Sequence, residues 1–152
     1  MRTEKEKYLP RSLSTRDKRK QGRELRKSRR LYNRGIYHSR PKVDSFRSRK
    51  SSHVQKAEKM YGVKSIGATA ELARKTGCSR STLAGIIRKG EGAYYSSGSR
   101  PNQTAQSWGV ARLASAITAG KASKVDFHLL REGCNRNSSK ALRLASQKKK
   151  KR

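Results

Sequence analysis

Apolar side chains recur at helical spacing in the middle of the chain and become scarce towards both ends. The clearest case is residues 104–120, whose apolar positions fall at i, i+3, i+4 and i+7: Val110, Leu113, Ala114 and Ile117. This spacing forms one apolar face of a helix, with Thr104 placed to cap its start and Gly120 to end it.

Shorter segments on either side show the same periodicity. Val54, Ala57 and Tyr61 predict a helix that Gly62 ends, and further helical patterns follow in residues 69–77, 79–90 and about 123–131. No segment has a convincing strand pattern. The sequence therefore predicts an all-α fold, a small multi-helix domain over residues 51–134.

The two ends carry few apolar residues. Residues 14–34 predict a helix, with Ser14 and Asp17 as a capping box and Gly35 as a stop, but this helix is polar almost all round. We expect it to form fully only against a partner. Residues 37–52 follow as a linker, and the chain after Cys134 is expected to fray. The expected organisation is a basic N-terminal arm (1–50), a compact helical domain (51–134) and a basic tail (135–152).

Composition and charge favour a polyanionic partner. The 152 residues carry a net charge of +30 with 32% hydrophobic residues, so charge at this density repels itself in a compact state. Nucleic acid, most plausibly double-stranded DNA, is the leading candidate, ahead of an acidic protein surface or anionic lipid. Cys78 and Cys134 are too few for a disulfide framework and fit a reducing compartment. We expect no signal peptide and no membrane span.

The segment "ELARKTGCSRSTLAGIIRKG" resembles a helix-turn-helix pair. It has a Gly able to turn at position 77, an N-cap Ser at 79 and apolar anchors at Leu83 and Ile86. The residues expected to face outward on the second helix, which enters the major groove in DNA-binding proteins, include Arg80, Ser81, Thr82, Arg88 and Lys89. The alternative is an ordinary helical hairpin. The outward face is poor in Asn and Gln, so little sequence preference is expected.

A second candidate anion site lies in the polar loop "GAYYSSGSRP" and near it. Such loops can direct several backbone N–H groups at one anion. The predicted binding residues here are Ser97, Ser99, Arg100 and Arg112, and the tail adds Lys148, Lys149, Lys150, Lys151 and Arg152. The alternative is architectural, with the loop's aromatic residues and Trp108 covering a helix pair and Arg100 packing over a ring.

The sequence offers no recognisable catalytic or metal centre. The cysteines and histidines lack paired spacing, the carboxylates form no acid–base pair, and no phosphate-binding Gly-rich loop with its Lys is present. We therefore predict no catalytic residues, metal, cofactor or small-molecule substrate. An enzyme assembled from distant residues is the third alternative.

The motifs "SSGSRPNQT" and "SWGVARLASAIT", with "ELARKTGCS" before them, resemble an uncharacterised family of small basic proteins. That family occurs in large double-stranded DNA viruses, with distant relatives in tailed phages, and the resemblance covers roughly residues 8–134. It implies a viral, virion-associated protein, present in the host cytoplasm or nucleus during assembly. Two functions remain open: binding genomic DNA with little sequence preference, or acting as a minor capsid or cement protein whose arms bind acidic capsid surfaces.

Overall fold

The computed structural model describes residues 4–151, and within them the backbone forms eight α-helices and no β-strand. The predicted all-α class is confirmed. The helices are α1 (Thr15–Tyr32), α2 (Ser52–Tyr61), α3 (Ala70–Thr76), α4 (Arg80–Ser96), α5 (Ala105–Ile117), α6 (Lys121–Val125), α7 (Phe127–Gly133) and α8 (Lys140–Lys150). No helix in this described range is both long and apolar enough to cross a membrane.

Two compact units divide the chain. The first contains residues 4–49 and 91–108, and the second contains residues 50–90 and 109–151. Both α4 and α5 contribute residues to each unit.

Helix α1 organises the first unit. Ser14 caps it by accepting a hydrogen bond from the backbone N–H of Asp17 at 3.1 Å. The reciprocal bond of the predicted capping box is replaced, because Ser14 N–H donates to Ser45 Oγ at 2.9 Å and the Asp17 carboxylate accepts from Ser45 N–H. The buried face of α1 includes Asp17, Gln21, Leu25 and Ser28. The first unit covers this face, a packing surface that the sequence pattern did not reveal.

The predicted linker is free of helix from Ile36 to Lys50 and is mostly exposed, but Arg40 and Val43 are buried in the first unit. Val43 is buried, and its backbone N–H and C=O both bond the side chain of Asn102, at 2.7 and 3.1 Å. Asn102 also donates to the carbonyl of Phe46 at 2.7 Å. One amide side chain thus fixes several backbone groups that have no helix to satisfy them.

The second unit contains a continuous apolar core. Its fully buried members include Ala57, Leu72, Leu83, Ile86, Leu113, Ile117 and Leu130. Tyr61 closes one side, donating its hydroxyl to the carbonyl of Ile117 at 2.5 Å. Burial raises the pKa of the Tyr61 phenol well above its usual range, so this hydroxyl remains a donor.

A disulfide bond joins Cys78 to Cys134, a pairing that the count and spacing of the cysteines did not predict. The turn after α3 and the end of α7 lie side by side, held by two backbone hydrogen bonds. Ser79 N–H donates to Gly133 O at 2.9 Å, and Asn135 N–H donates to Gly77 O at 2.7 Å. This pairing across 56 residues brings the two sulfur atoms together.

The tail does not fray over Lys140–Lys150, where α8 forms. Ser139 caps this helix by accepting from the N–H of Leu142 at 3.1 Å. Ala141, Leu142 and Ala145 are buried in the core of the second unit. The expectation of a frayed tail missed these few apolar residues among many lysines.

Candidate nucleic-acid interface

The turn between α3 and α4 in the second unit has the geometry that the sequence pattern predicted. Gly77 ends α3 in a left-handed conformation with φ of +77°, and a side chain there would lie 2.7 Å from the Cα of Ser139. Ser79 then accepts a hydrogen bond from the N–H of Thr82 at 3.2 Å, in the first turn of α4. Glycine is therefore required twice at position 77, for its φ and for the close approach.

The inner faces of α3 and α4 pack into the core of the second unit. Leu72, Leu83 and Ile86 are fully buried, and Ala73 packs against them partly buried. Val54 and Ala57 of α2 belong to the same core cluster. Three helices in this order, with a short turn between the last two, are typical of helix-turn-helix folds.

The outer face of α4 carries two arginines separated by small residues. Arg80, Ser81 and Arg88 are exposed, and Ala84 and Gly85 between them are half-buried. Their spacing places all five on one stripe of the helix. We call the stripe 80/81/84/85/88 the α4 face. Its small centre leaves room for a close approach to the helix backbone, while a guanidinium stands at each end.

Arg80 is oriented by its own chain. Its Nε donates to the carbonyl of Ala68 at 3.1 Å, just before α3. The guanidinium is otherwise exposed at the start of α4. This hydrogen bond orients a positive charge at the exposed start of α4.

The other two predicted residues of α4 lie on a flank that α7 partly covers. A side chain at Gly133 would overlap the hydroxyl of Thr82. Lys89 Nζ lies 3.4 Å from His128 Nε2 and 4.0 Å from the carboxylate of Asp126. Of the predicted set only Thr82 is half-buried; Arg80, Ser81 and Arg88 lie on the α4 face, and the exposed Lys89 lies beside His128 and Asp126.

In the first unit, the end of α4 and the loop after it are occupied by the protein's own side chains. Three carbonyl groups accept hydrogen bonds here: Tyr94 O from Arg40 at 2.7 Å, Tyr95 O from Ser28 at 3.0 Å and Ser97 O from Arg29 at 2.9 Å. Carbonyls at a helix C-terminus lack partners within the helix and carry partial negative charge, which cations stabilise. The polar loop sequence is thus explained largely by internal capping.

Arg40 is the centre of this arrangement, and sequence reasoning missed it. It is only 9% exposed, its guanidinium lies 3.8 Å from the ring centroid of Tyr94, and it donates to Ser99 Oγ at 2.7 Å. Burial lowers the pKa of Arg40. Its partners Tyr94 and Ser99 lie 54 and 59 residues away along the chain, so no local pattern marks it.

The structure gives different roles to the four residues predicted to bind an anion in and near this loop. Ser99 is buried and bonded to Arg40, and the Ser97 carbonyl accepts from Arg29. Arg112, in the second unit, forms two hydrogen bonds of 2.8 Å with the buried carboxylate of Asp126, which raise the pKa of Arg112. Arg100 is exposed, and an anion contact there stays a prediction.

The predicted lysines of the tail stand at the end of α8. Lys148, Lys149 and Lys150 form its last turn, where cations are favoured by the helix dipole. Lys149 also lies over the ring of Phe127, 4.3 Å from its centroid. Lys151 is exposed, and Arg152 lies outside the described residues.

Comparison with known proteins identifies one family. Residues 5–138 match the family described as Family of unknown function (DUF5824). No curated protein and no solved structure matches the chain.

Proposed function

Because the chain belongs to DUF5824, a family of unknown function, we propose its function from its own residues: it binds double-stranded DNA through the α4 face, without catalysing a reaction. The carrying observation is the turn at Gly77 and Ser79, which presents the start of α4 with Arg80 and Arg88 exposed. The net charge of +30 supplies the general attraction to a polyanion.

The composition of the α4 face supports binding with little sequence preference. Bases are read by bidentate side chains, above all Arg on guanine and Asn or Gln on adenine. The α4 face offers two arginines, one serine and no Asn or Gln. Most of the affinity is then electrostatic, with limited discrimination between sequences.

The test replaces Arg88 by alanine and measures duplex affinity by fluorescence anisotropy across a range of salt. Loss of a guanidinium contact should weaken duplex binding about tenfold and make the salt slope shallower by about 0.9. Arg88 has no hydrogen bond or ion pair within the described residues, so folding should be unaffected.

The matched control is Arg131→Ala, which removes the same charge from an exposed position on α7 of the same unit. Its effect on duplex affinity should be less than about twofold. Equal losses from Arg88→Ala and Arg131→Ala would contradict the assignment to the α4 face.

We also propose that this binding takes place in a viral particle. Support comes from the sequence resemblance to basic proteins of large double-stranded DNA viruses, with the packaged genome as the DNA partner. Mass spectrometry of intact purified particles, and of particles from which the genome-containing interior has been removed, tests whether the protein is in the particle. Absence of the protein from particles would contradict it.

A further inference from the structure

We propose a second binding site in the first unit: the exposed face of α1 binds the sugar–phosphate backbone of nucleic acid, single- or double-stranded. This site goes beyond the proposed function, because it lies on a different helix from the α4 face and reads neither sequence nor strandedness.

One face of α1 consists entirely of exposed cations. Five members recur every three or four residues, and Lys27 lies next to one of them: Arg16, Arg19, Arg23, Arg26, Lys27 and Arg30. At 100° per residue they fall within an arc of about 100°, and the 18-residue helix is about 27 Å long. We call these six residues the α1 stripe. It is a straight row of positive charge with about one cation per helical turn.

None of these six side chains forms an ion pair or a hydrogen bond within the described residues. The two acidic residues of α1 are engaged elsewhere. Asp17 accepts from Ser45 N–H and Oγ at 2.8 and 2.5 Å, which lowers the pKa of Asp17, and Glu24 lies 2.6 Å from His38 Nε2. Like charges at i+3 and i+4 repel one another and destabilise a helix. An external polyanion lying along the stripe would remove that repulsion.

The chemistry of the stripe favours phosphodiester over other anions. Five of the six residues are arginines, whose planar guanidinium matches phosphate oxygens in a bidentate way. The stripe contains no apolar side chain, whereas protein interfaces have an apolar core. The opposite face of α1, including Gln21, Leu25 and Ser28, is buried in the first unit, so α1 cannot insert an apolar face into a lipid surface. A linear polyanion is the occupant that fits a linear row of cations.

The test neutralises the middle of the stripe in the full-length protein. In the triple variant Arg19→Gln, Arg23→Gln and Arg26→Gln, three phosphate contacts are lost while the helix keeps residues of good helical propensity. The probes are a 20-mer of deoxythymidine and a 20-base-pair duplex, each titrated at several salt concentrations. The slope of log K against log salt should become shallower by about 2 on the single strand and about 2.7 on the duplex.

A matched control separates this site from net charge. The variant Lys121→Gln, Lys124→Gln and Arg131→Gln also removes three charges, all from exposed positions of α6 and α7 in the second unit. Its salt slopes should change by less than about 1 on both probes. The proposal would be overturned if both triple variants reduced the salt slope equally, or if the stripe variant left the salt slope unchanged.

Two further measurements separate the α1 stripe from the α4 face and identify the polyanion that the stripe binds. Arg88→Ala should weaken binding to the duplex and leave binding to the thymidine 20-mer unchanged. A result that contradicts the α4 face would therefore not by itself contradict the α1 stripe. Poly-glutamate of matched charge should compete poorly for the wild-type protein. If it competes as well as the thymidine 20-mer, and the stripe variant abolishes that competition, the stripe binds acidic protein and the nucleic-acid assignment is overturned.

Discussion

Replacing Gly85 by alanine should stabilise the protein, whereas the same replacement at Gly90 should destabilise it. Both glycines lie inside α4, where alanine is favoured over glycine by about 1 kcal/mol per residue. The two sites differ in their surroundings. A Cβ at Gly85 meets no heavy atom within 4 Å, but a Cβ at Gly90 would lie 2.5 Å from the Cα of Gly109 and 3.1 Å from its nitrogen.

The magnitudes follow from those distances. At Gly85 the helical preference should appear almost in full, raising the free energy of unfolding by about 0.5–1 kcal/mol and Tm by roughly 2–4 °C. At Gly90 the obstacle is the backbone of α5, which cannot rotate away as a side chain can. An overpacking cost of about 1–3 kcal/mol should outweigh the helical gain and lower Tm by several degrees.

Thermal denaturation followed by circular dichroism measures both variants beside the wild type. Since the chemical change and the helix are the same, the difference between the two variants reports the packing alone. Equal shifts in Tm, or a destabilised Gly85→Ala, would refute the close approach at Gly90 or the open surroundings of Gly85.

Two other predictions concern interactions far apart in sequence. Arg40→Met should lower the free energy of unfolding by about 3 kcal/mol, because buried acceptors lose their donors. Arg100→Met, at an exposed position, should change the free energy of unfolding little. Urea denaturation measures both variants, and similar midpoints would contradict the buried role of Arg40. Reduction of the Cys78–Cys134 bond should lower the free energy of unfolding by about 4 kcal/mol, since it closes a loop spanning 56 residues; non-reducing peptide mapping with melts in dithiothreitol tests this, and an unchanged Tm would contradict it.

Local pattern was sufficient for several helix starts and for the turn of the candidate site, but it missed α8 and the extension of α4 to Ser96. The N-cap Ser14 marked the start of α1, and Thr104, which accepts from Ser107 N–H at 3.0 Å, marked the start of α5. The turn at Gly77 and the anchors Leu83 and Ile86 also lie where the pattern put them. Caps and apolar periodicity act within one or two helical turns, so the chain shows them directly.

Local patterns did not predict contacts between residues that lie far apart in the sequence. The sequence by itself determined an all-α protein with an excess of positive charge. Only the tertiary structure decided that Arg40 is buried on Tyr94, that Arg112 is engaged by Asp126, and that two cysteines 56 residues apart are bonded. Each of these depends on which surfaces the packed core brings together, and a charged side chain looks the same in sequence whether its partner is solvent, phosphate or a carbonyl of the same chain.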